Sequence, residues 1–434
     1  MQPIKIKLAE RVNLNVIETD KFKTNFISID FLSPLKKETA AYNALLPQVL
    51  RRGTAKHRNM TRLNTALDTL YASQISPFVS KYGEVQSFGF YSYPLDNVYA
   101  LEETDILGGP LDILKDVIFD PYTENGLLSE AFVESEKRTL TDRIKAQINN
   151  KNSYAVSRCR DVMCEGEAYA IPETGTVEDV EKITAKSLTE HYKAVLKTAD
   201  VEIYYVGRNY GDLVIEKFRN MFASLERNGS EPLKTKVIRH AENVKEYTEE
   251  QPVSQGKLSL GFRTDSILGE DDFRKFILMR EILGGTTSSK LFMNVREKLS
   301  LCYYCSAIPE SYKGIMIITS GIDVSNKEKV QKEILAQIEE CKKGNITDDE
   351  LDAAKKALAN AYLELGDDAG AIKRWFFTRN LANMTDTPES WSEAIMKTTA
   401  EEAAEAAKRI TLDTVYFLKG TLTDSKEEAE EDDE

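Results

Sequence analysis

The chain has 434 residues, with 57 Lys+Arg against 71 Asp+Glu for a net charge of -14, and only 3 His and 5 Cys. That length accommodates about two to four domains, and 41% apolar with 29% charged residues excludes disorder throughout. The acidic balance offers no basic stripe for nucleic acid, and half of it sits in the last eleven residues, where eight acids face Lys426 alone. Such a block repels itself, so a disordered tail is expected over 423–434.

The start, MQPIKIKLAERVNLNVIETD, lacks the apolar core of a secretion signal, and no run approaches the roughly 20 apolar residues of a membrane helix. A cytoplasmic chain without membrane contact is expected. An odd cysteine number argues against a disulfide framework and fits a reducing compartment. Next in chain order comes an apolar strand NFISIDF, then a helix around TAAYNALLPQVL leading to Arg52, Gly53 and Thr54. A second helix carries Leu63, Leu67 and Leu70 on one face, and Tyr71-Ala72-Ser73 and the strand VQSFGFYSY follow. A long charged helix around EAFVESEKRTLTDRIKAQI comes next, and HYKAVLKTADVEIYYVG closes the half as helix, strand and glycine.

The same order returns about 230 residues later, and such self-similarity marks a duplicated architecture. The strand KLSLGF leads to a helix around DDFRKFILMREIL, then Gly284-Gly285-Thr286, a helix LFMNVREKL, Tyr303-Tyr304 and the strand GIMIITSGI. The helix DELDAAKKALANAYLEL, with a capping box from Thr347 and Glu350, matches the long charged helix, and AAEAAKRITLDTVYFLKG matches the closing unit. The expected class is α+β: two homologous domains, each a mainly antiparallel sheet with helices packed on one face. The boundaries read as 1–224, a polar linker 225–252, a second domain 253–422, and the tail.

Cys302 and Cys305 form a CxxC inside LCYYCSAI, which reads as a strand. Residues three apart on a strand face opposite sides, so ordinary buried thiols are expected there rather than zinc or redox chemistry. His57, His191 and His240 fall in a loop, a late helix and the linker, with no partner at metal-ligand spacing, and each reads as an exposed or packed histidine. No GxSxG, Walker loop, HExxH or strand-linked GxGxxG is present.

The segment LGGTTSSKLFMNVREKLSLCYY, taken with the duplication, resembles the second-half signature of the pitrilysin, insulinase and mitochondrial-processing-peptidase family. The resemblance covers nearly the whole chain, since EGEAYAIPETGTVEDVEKITAKSLTEHYKAVL is similar to the stretch closing that family's first domain. Its nearest flavour is the bacterial YmfF-like branch, which lacks zinc. The resemblance implies a duplicated LuxS/MPP-like metallohydrolase fold. Cutting members hold zinc on an inverted HxxEH helix, with a third ligand, a glutamate, on the long charged helix. Aligning the family's Gly-Thr with Gly53-Thr54 puts Ala44, Pro47 and Gln48 on the ligand and base positions. Glu136 is retained as the outer glutamate, and Arg143 stands where the ligand glutamate belongs. A guanidinium there would repel a cation, and Pro47 should kink or break its helix near Asn43 to Pro47.

Arg296 and Tyr303 match the family arginine and tyrosine that reach the catalytic cleft to contact substrate and the developing oxyanion. Against this stands a plain structural role, with Arg296 in a helix-end ion pair to Glu297 and Tyr303 half-buried on a strand. The resemblance thus implies a non-catalytic subunit, with no cofactor of its own and zinc only in a partner. That partner would be an HxxEH-bearing homologue, and Arg296 and Tyr303 would be lent to its site around a peptide substrate; a homodimer is the other assembly. The alternatives are a scaffold or peptide-binding protein of the same fold, and a metal-independent enzyme, for which no nucleophile with an adjacent base is found. In active relatives a strand near Tyr71-Ala72-Ser73-Gln74-Ile75-Ser76 pairs with extended peptide, while an internal sheet strand is the equal alternative here.

Overall fold

The computed structural model describes residues 2–101, 105–223, 225–229 and 231–422; the expected acidic tail lies outside them. Two compact units share the chain. The first comprises Met1–Ala146, Ile171–Lys234 and Leu365–Thr378, and the second Gln147–Ala170, Thr235–Glu364 and the remainder from Arg379.

In the first unit, β1 (Ile4–Ala9), β2 (Val12–Glu18), β3 (Phe26–Pro34), β4 (Ile75–Tyr82), β5 (Val85–Ser92) and β6 (Asp200–Gly207) form one sheet in the order β1-β2-β6-β3-β5-β4. Only the β2–β6 ladder is parallel. Alternation fixes the register: Ile27, Ile29 and Phe31 of β3 point into a core shared with Phe88, Phe90 and Ile203. Leu45, Val49, Leu140 and Leu188, from the helices Lys37–Leu50, Glu130–Ala146 and Ala185–Thr198, close that core from one side.

The second unit repeats the plan. Its strands β7 (Lys245–Gln251), β8 (Gly256–Arg263), β9 (Tyr304–Glu310), β10 (Ile315–Ile322) and β11 (Thr411–Gly420) run in the order β9-β10-β8-β11-β7. Here too the only parallel ladder, β11–β7, lies at the position of β6–β2. The capping box closes as the sequence implies, with Thr347 N–H donating to Glu350 and Glu350 N–H to the Thr347 hydroxyl at 3.0 and 3.2 Å.

Three details depart from the expectations. The stretch assigned to a linker over 225–252 contains β7, a charged strand of the second sheet. Residues 147–170 and 365–378 each join the unit built by the opposite half of the repeat. The helix Lys151–Met163 lays Ala155, Val156 and Cys159 on Ile315, Ile317 and Tyr416, and so covers the second face of that sheet. Finally, the helix Lys37–Leu50 runs unbroken through Pro47. Pro47 lies in its last turn, and the ladder resumes at once with Arg51 N–H donating to the Pro47 carbonyl at 3.1 Å.

Candidate functional site

The helix Lys37–Leu50 places Ala44 and Pro47 in the buried core and Gln48 half-buried, in contact with the helix Glu130–Ala146. On that second helix Glu136 is buried and paired with Arg52 at 3.0 Å, whereas Arg143 is exposed in the last turn. A methyl, a proline ring, an amide and a guanidinium do not make a zinc donor set, so these residues do not fit the family metal. Among the described residues, no three His, Cys, Asp or Glu side chains gather as a metal site requires.

A neutral polar chain stands beside this helix instead. Gln86 Nε2 donates to the carbonyls of Ala40 and Glu173 at 3.1 and 2.7 Å, which fixes Oε1 as the acceptor for Asn43 Nδ2 at 2.8 Å. Asn43 Nδ2 also donates to Ser33 Oγ, so Asn43 Oδ1 must accept, and His191 Nε2 at 2.7 Å is therefore the protonated nitrogen. His191 and Asn43 line a cavity of about 410 Å³ with Leu32, Pro34 and Val195. Sequence reasoning passed over this network because residues 43, 86 and 191 converge only in the fold.

Burial lowers the His191 pKa to about 4. A histidine depressed in the folded state binds its proton more readily when unfolded, so the first unit should gain stability from pH 4 to about 6.5 and be flat above. The gain should be about 3 kcal/mol, and His191→Phe should remove that slope from urea unfolding curves recorded across the range.

In the second unit Arg296 sits on Leu291–Lys298, a π-helical segment whose wide turn is shown by Leu299 N–H donating to the Asn294 carbonyl. Gly284 lets this segment approach: a Cβ there would lie 2.8 Å from Leu291 Cδ1 and 3.0 Å from the Ala307 nitrogen of β9. The guanidinium stands 4.6 Å from the Phe292 ring centroid and 3.7 Å from Glu297, with 42% of the side chain exposed. Tyr303 precedes β9, is 54% exposed, and donates to Asp323 Oδ1 at 3.1 Å. Arg296 thus makes the helix-end pair with Glu297 that the structural alternative names, and both Arg296 and Tyr303 are exposed to solvent.

Two further placements correct the sequence reading. Tyr71 and Ala72 adopt left-handed turns and the strand begins only at Ile75, so β4 rather than the Tyr71–Gln74 stretch is the sheet edge. Cys302 also lies outside its strand. Alternation therefore does not decide which way the Cys302 thiol faces; it is half-buried and Cys305 is buried.

A protein of Bacillus subtilis (strain 168), "Probable inactive metalloprotease YmfF", is 33% identical over 94% of this chain and 95% of its own. The chain belongs to the M16 peptidase family. Residues 182–358 match the family model described as "Peptidase M16 inactive domain". A conserved protein from Enterococcus faecalis V583 has a similar structure, with a TM-score of 0.90 and 29% identity over 98% of this chain and all of that one. The peptidase M16 inactive domain from Pseudomonas fluorescens, at 18% identity over 98% and 99% of the two chains, shares the fold with a TM-score of 0.80. The chain is thus an inactive M16 peptidase homologue. No helix among the described residues is long and apolar enough to cross a membrane.

Proposed function

We propose that this chain is the non-catalytic subunit of a two-subunit zinc peptidase, binding peptide and lending Arg296 and Tyr303 to the site of an HxxEH-bearing homologue. The observation that carries this reading is the contrast between the two sets of family positions. Ala44, Pro47, Gln48 and Arg143 offer no zinc-donor set, while Arg296 and Tyr303 match the family arginine and tyrosine and are exposed on a π-helical segment and the loop before an edge strand. A guanidinium and a phenol aimed at a growing oxyanion stabilise a transition state without a metal of their own.

The test is peptide cleavage by an intact homologue encoded beside this chain, with and without it. Arg296→Ala and Tyr303→Phe should each lower the stimulated turnover about 100-fold. Unchanged turnover in both variants ends the lending role. Zinc belongs to the partner alone: elemental analysis of this chain, purified without a metal-affinity tag, should find far less than one zinc per molecule.

A scaffold or peptide-binding role without a peptidase is favoured by one feature, the place of β4 at the end of its sheet, since an extended peptide can add to a sheet edge through its main chain. Peptide capture by the chain alone, with no stimulation of any HxxEH homologue, would select that reading.

A further inference from the structure

We propose that the cavity beside His191 binds a small neutral molecule, an apolar body carrying one carboxamide, whose N–H donates to His191 Nδ1 and whose carbonyl accepts from the Ser33 hydroxyl. The cavity holds about 410 Å³, within the range of pockets that take compact organic ligands. Three elements of the first unit supply most of its wall: the end of β3, the first half of the helix Lys37–Leu50 and the last turns of the helix Ala185–Thr198. Leu32, Pro34, Ala194 and Val195 make that wall largely apolar.

Two polar groups on the wall have hydrogen-bonding capacity to spare, and Asn43 holds both. This residue is 1% exposed, and the fully buried Gln86 sets the orientation of its amide, accepting from Nδ2 at 2.8 Å. Asn43 Nδ2 also donates to Ser33 Oγ at 3.0 Å, which occupies a lone pair of that hydroxyl and leaves its proton to be given elsewhere. At the other end of the amide, Asn43 Oδ1 accepts from His191 Nε2 at 2.7 Å, so the imidazole keeps a bare lone pair on Nδ1. Among the described residues, none donates to that nitrogen and none accepts the Ser33 proton. The Tyr42 ring packs against the imidazole with centroids 5.1 Å apart and limits its rotation. Burial keeps His191 neutral at pH 7, so Nδ1 stays an acceptor.

One acceptor and one donor, joined through a single amide, complement a carboxamide. A carboxylate has no proton to give to Nδ1, and an ammonium cannot accept from Ser33. The charges on the wall lead to the same choice. Lys36 pairs with Glu231, and Asp200 with Arg11 at 3.2 Å. Each charged side chain that lines the cavity already has its opposite, so a charged guest would lose water without gaining a counter-ion. Apolar contact then supplies affinity, and the amide fixes orientation. The assignment does not depend on the lending of Arg296 and Tyr303. Asn43 lies next to Ala44, so the helix that no longer fits a metal carries the residue that organises this site.

Benzamide is the probe, with benzoate and ethylbenzene as controls of nearly the same shape. The chain has only 3 histidines, so its imidazole resonances are few, and the His191 set is identified by its loss in His191→Phe. Titrating the full chain with benzamide at pH 7 should move the His191 resonances to saturation and leave those of His57 and His240 in place. Benzoate and ethylbenzene should each bind about tenfold more weakly, the worth of one or two hydrogen bonds. Ser33→Ala should weaken benzamide by up to about tenfold and leave ethylbenzene unchanged. Ala194→Phe fills the cavity from its wall without touching Ser33, Asn43 or His191, and should abolish binding while the His191 resonances persist, which separates loss of the site from loss of the fold. The proposal is overturned if benzamide shifts no histidine, shifts His191 as strongly in Ala194→Phe, binds no better than the two controls, or binds Ser33→Ala unchanged.

Discussion

Replacing Lys373 by methionine should lower the stability of the first unit by about 3–5 kcal/mol, the cost of leaving one partner of a buried ion pair alone. Lys373 Nζ lies 2.6 Å from Asp30 Oδ1, with 10% of the lysine and 1% of the aspartate side chain exposed. Asp30 sits in the middle of β3 and also accepts from Ser28 Oγ at 2.8 Å and Ser87 Oγ at 3.1 Å. The ammonium is 4.1 Å from the Phe377 ring centroid, with the Tyr204 and Phe78 rings at 5.6 Å. Methionine fills the volume and keeps the aromatic contacts, so the loss reports the stranded carboxylate rather than a cavity. Lys373→Met combined with Asp30→Asn should recover most of it, because a neutral amide still meets both serines. Urea unfolding of the three variants checks this, and a single-variant loss below about 1 kcal/mol would mean that water reaches Asp30.

Lys373 also shows what local pattern conveys and what it leaves out. The strands β3, β5, β8 and β10 are legible because apolar residues crowd them, and the repeat is legible because two weak patterns in the same order reinforce each other. An amphipathic helix, by contrast, states that it buries a face without stating against which sheet. Nothing local to 365–378 or 147–170 says that each belongs to the unit of the opposite half. The strand β7 escapes notice because KEYTEEQ is an edge strand exposed along most of its length, so burial imposes no alternation on it. At the site, Ala44, Pro47, Gln48 and Arg143 stood out through the family resemblance and its Gly53-Thr54 alignment, not through any local pattern. The setting of Cys302 was not legible, since a shift of two residues in where a strand begins decides whether alternation applies. Likewise the neutral His191 depends on the orientation of Gln86, about a hundred residues away in the chain.

The second unit has its counterpart at the corresponding central strand, and Arg263→Met should cost about 3–5 kcal/mol there for the same reason. Arg263 Nε and Nη2 lie 2.8 Å from Asp413 Oδ2 and Glu167 Oε1, and Nη2 also donates to the Met163 carbonyl at 3.1 Å. Lys313, fully buried, reaches the other Glu167 oxygen at 2.7 Å. Two cations thus face two carboxylates, and the segment 147–170 supplies Glu167 as 365–378 supplies Lys373. In both units a residue from an exchanged segment completes a charge buried on the central strand, β3 or β8. A misplaced helix would strand that charge, so the pairs specify which helix covers which sheet. Their pH behaviour separates this account from simple packing. Burial alone would raise the Glu167 pKa, but Arg263 and Lys313 outweigh it and hold the carboxyl below its ordinary value. A depressed carboxyl contributes stability above its unfolded pKa and loses it as pH falls through the folded one. Wild-type unfolding should therefore become easier with acid below about pH 4.5, and Arg263→Met, with one cation gone, should show a shallower acid slope from a lower plateau. A variant with the lower plateau and an unchanged slope would assign the loss to packing and leave Lys313 alone holding Glu167.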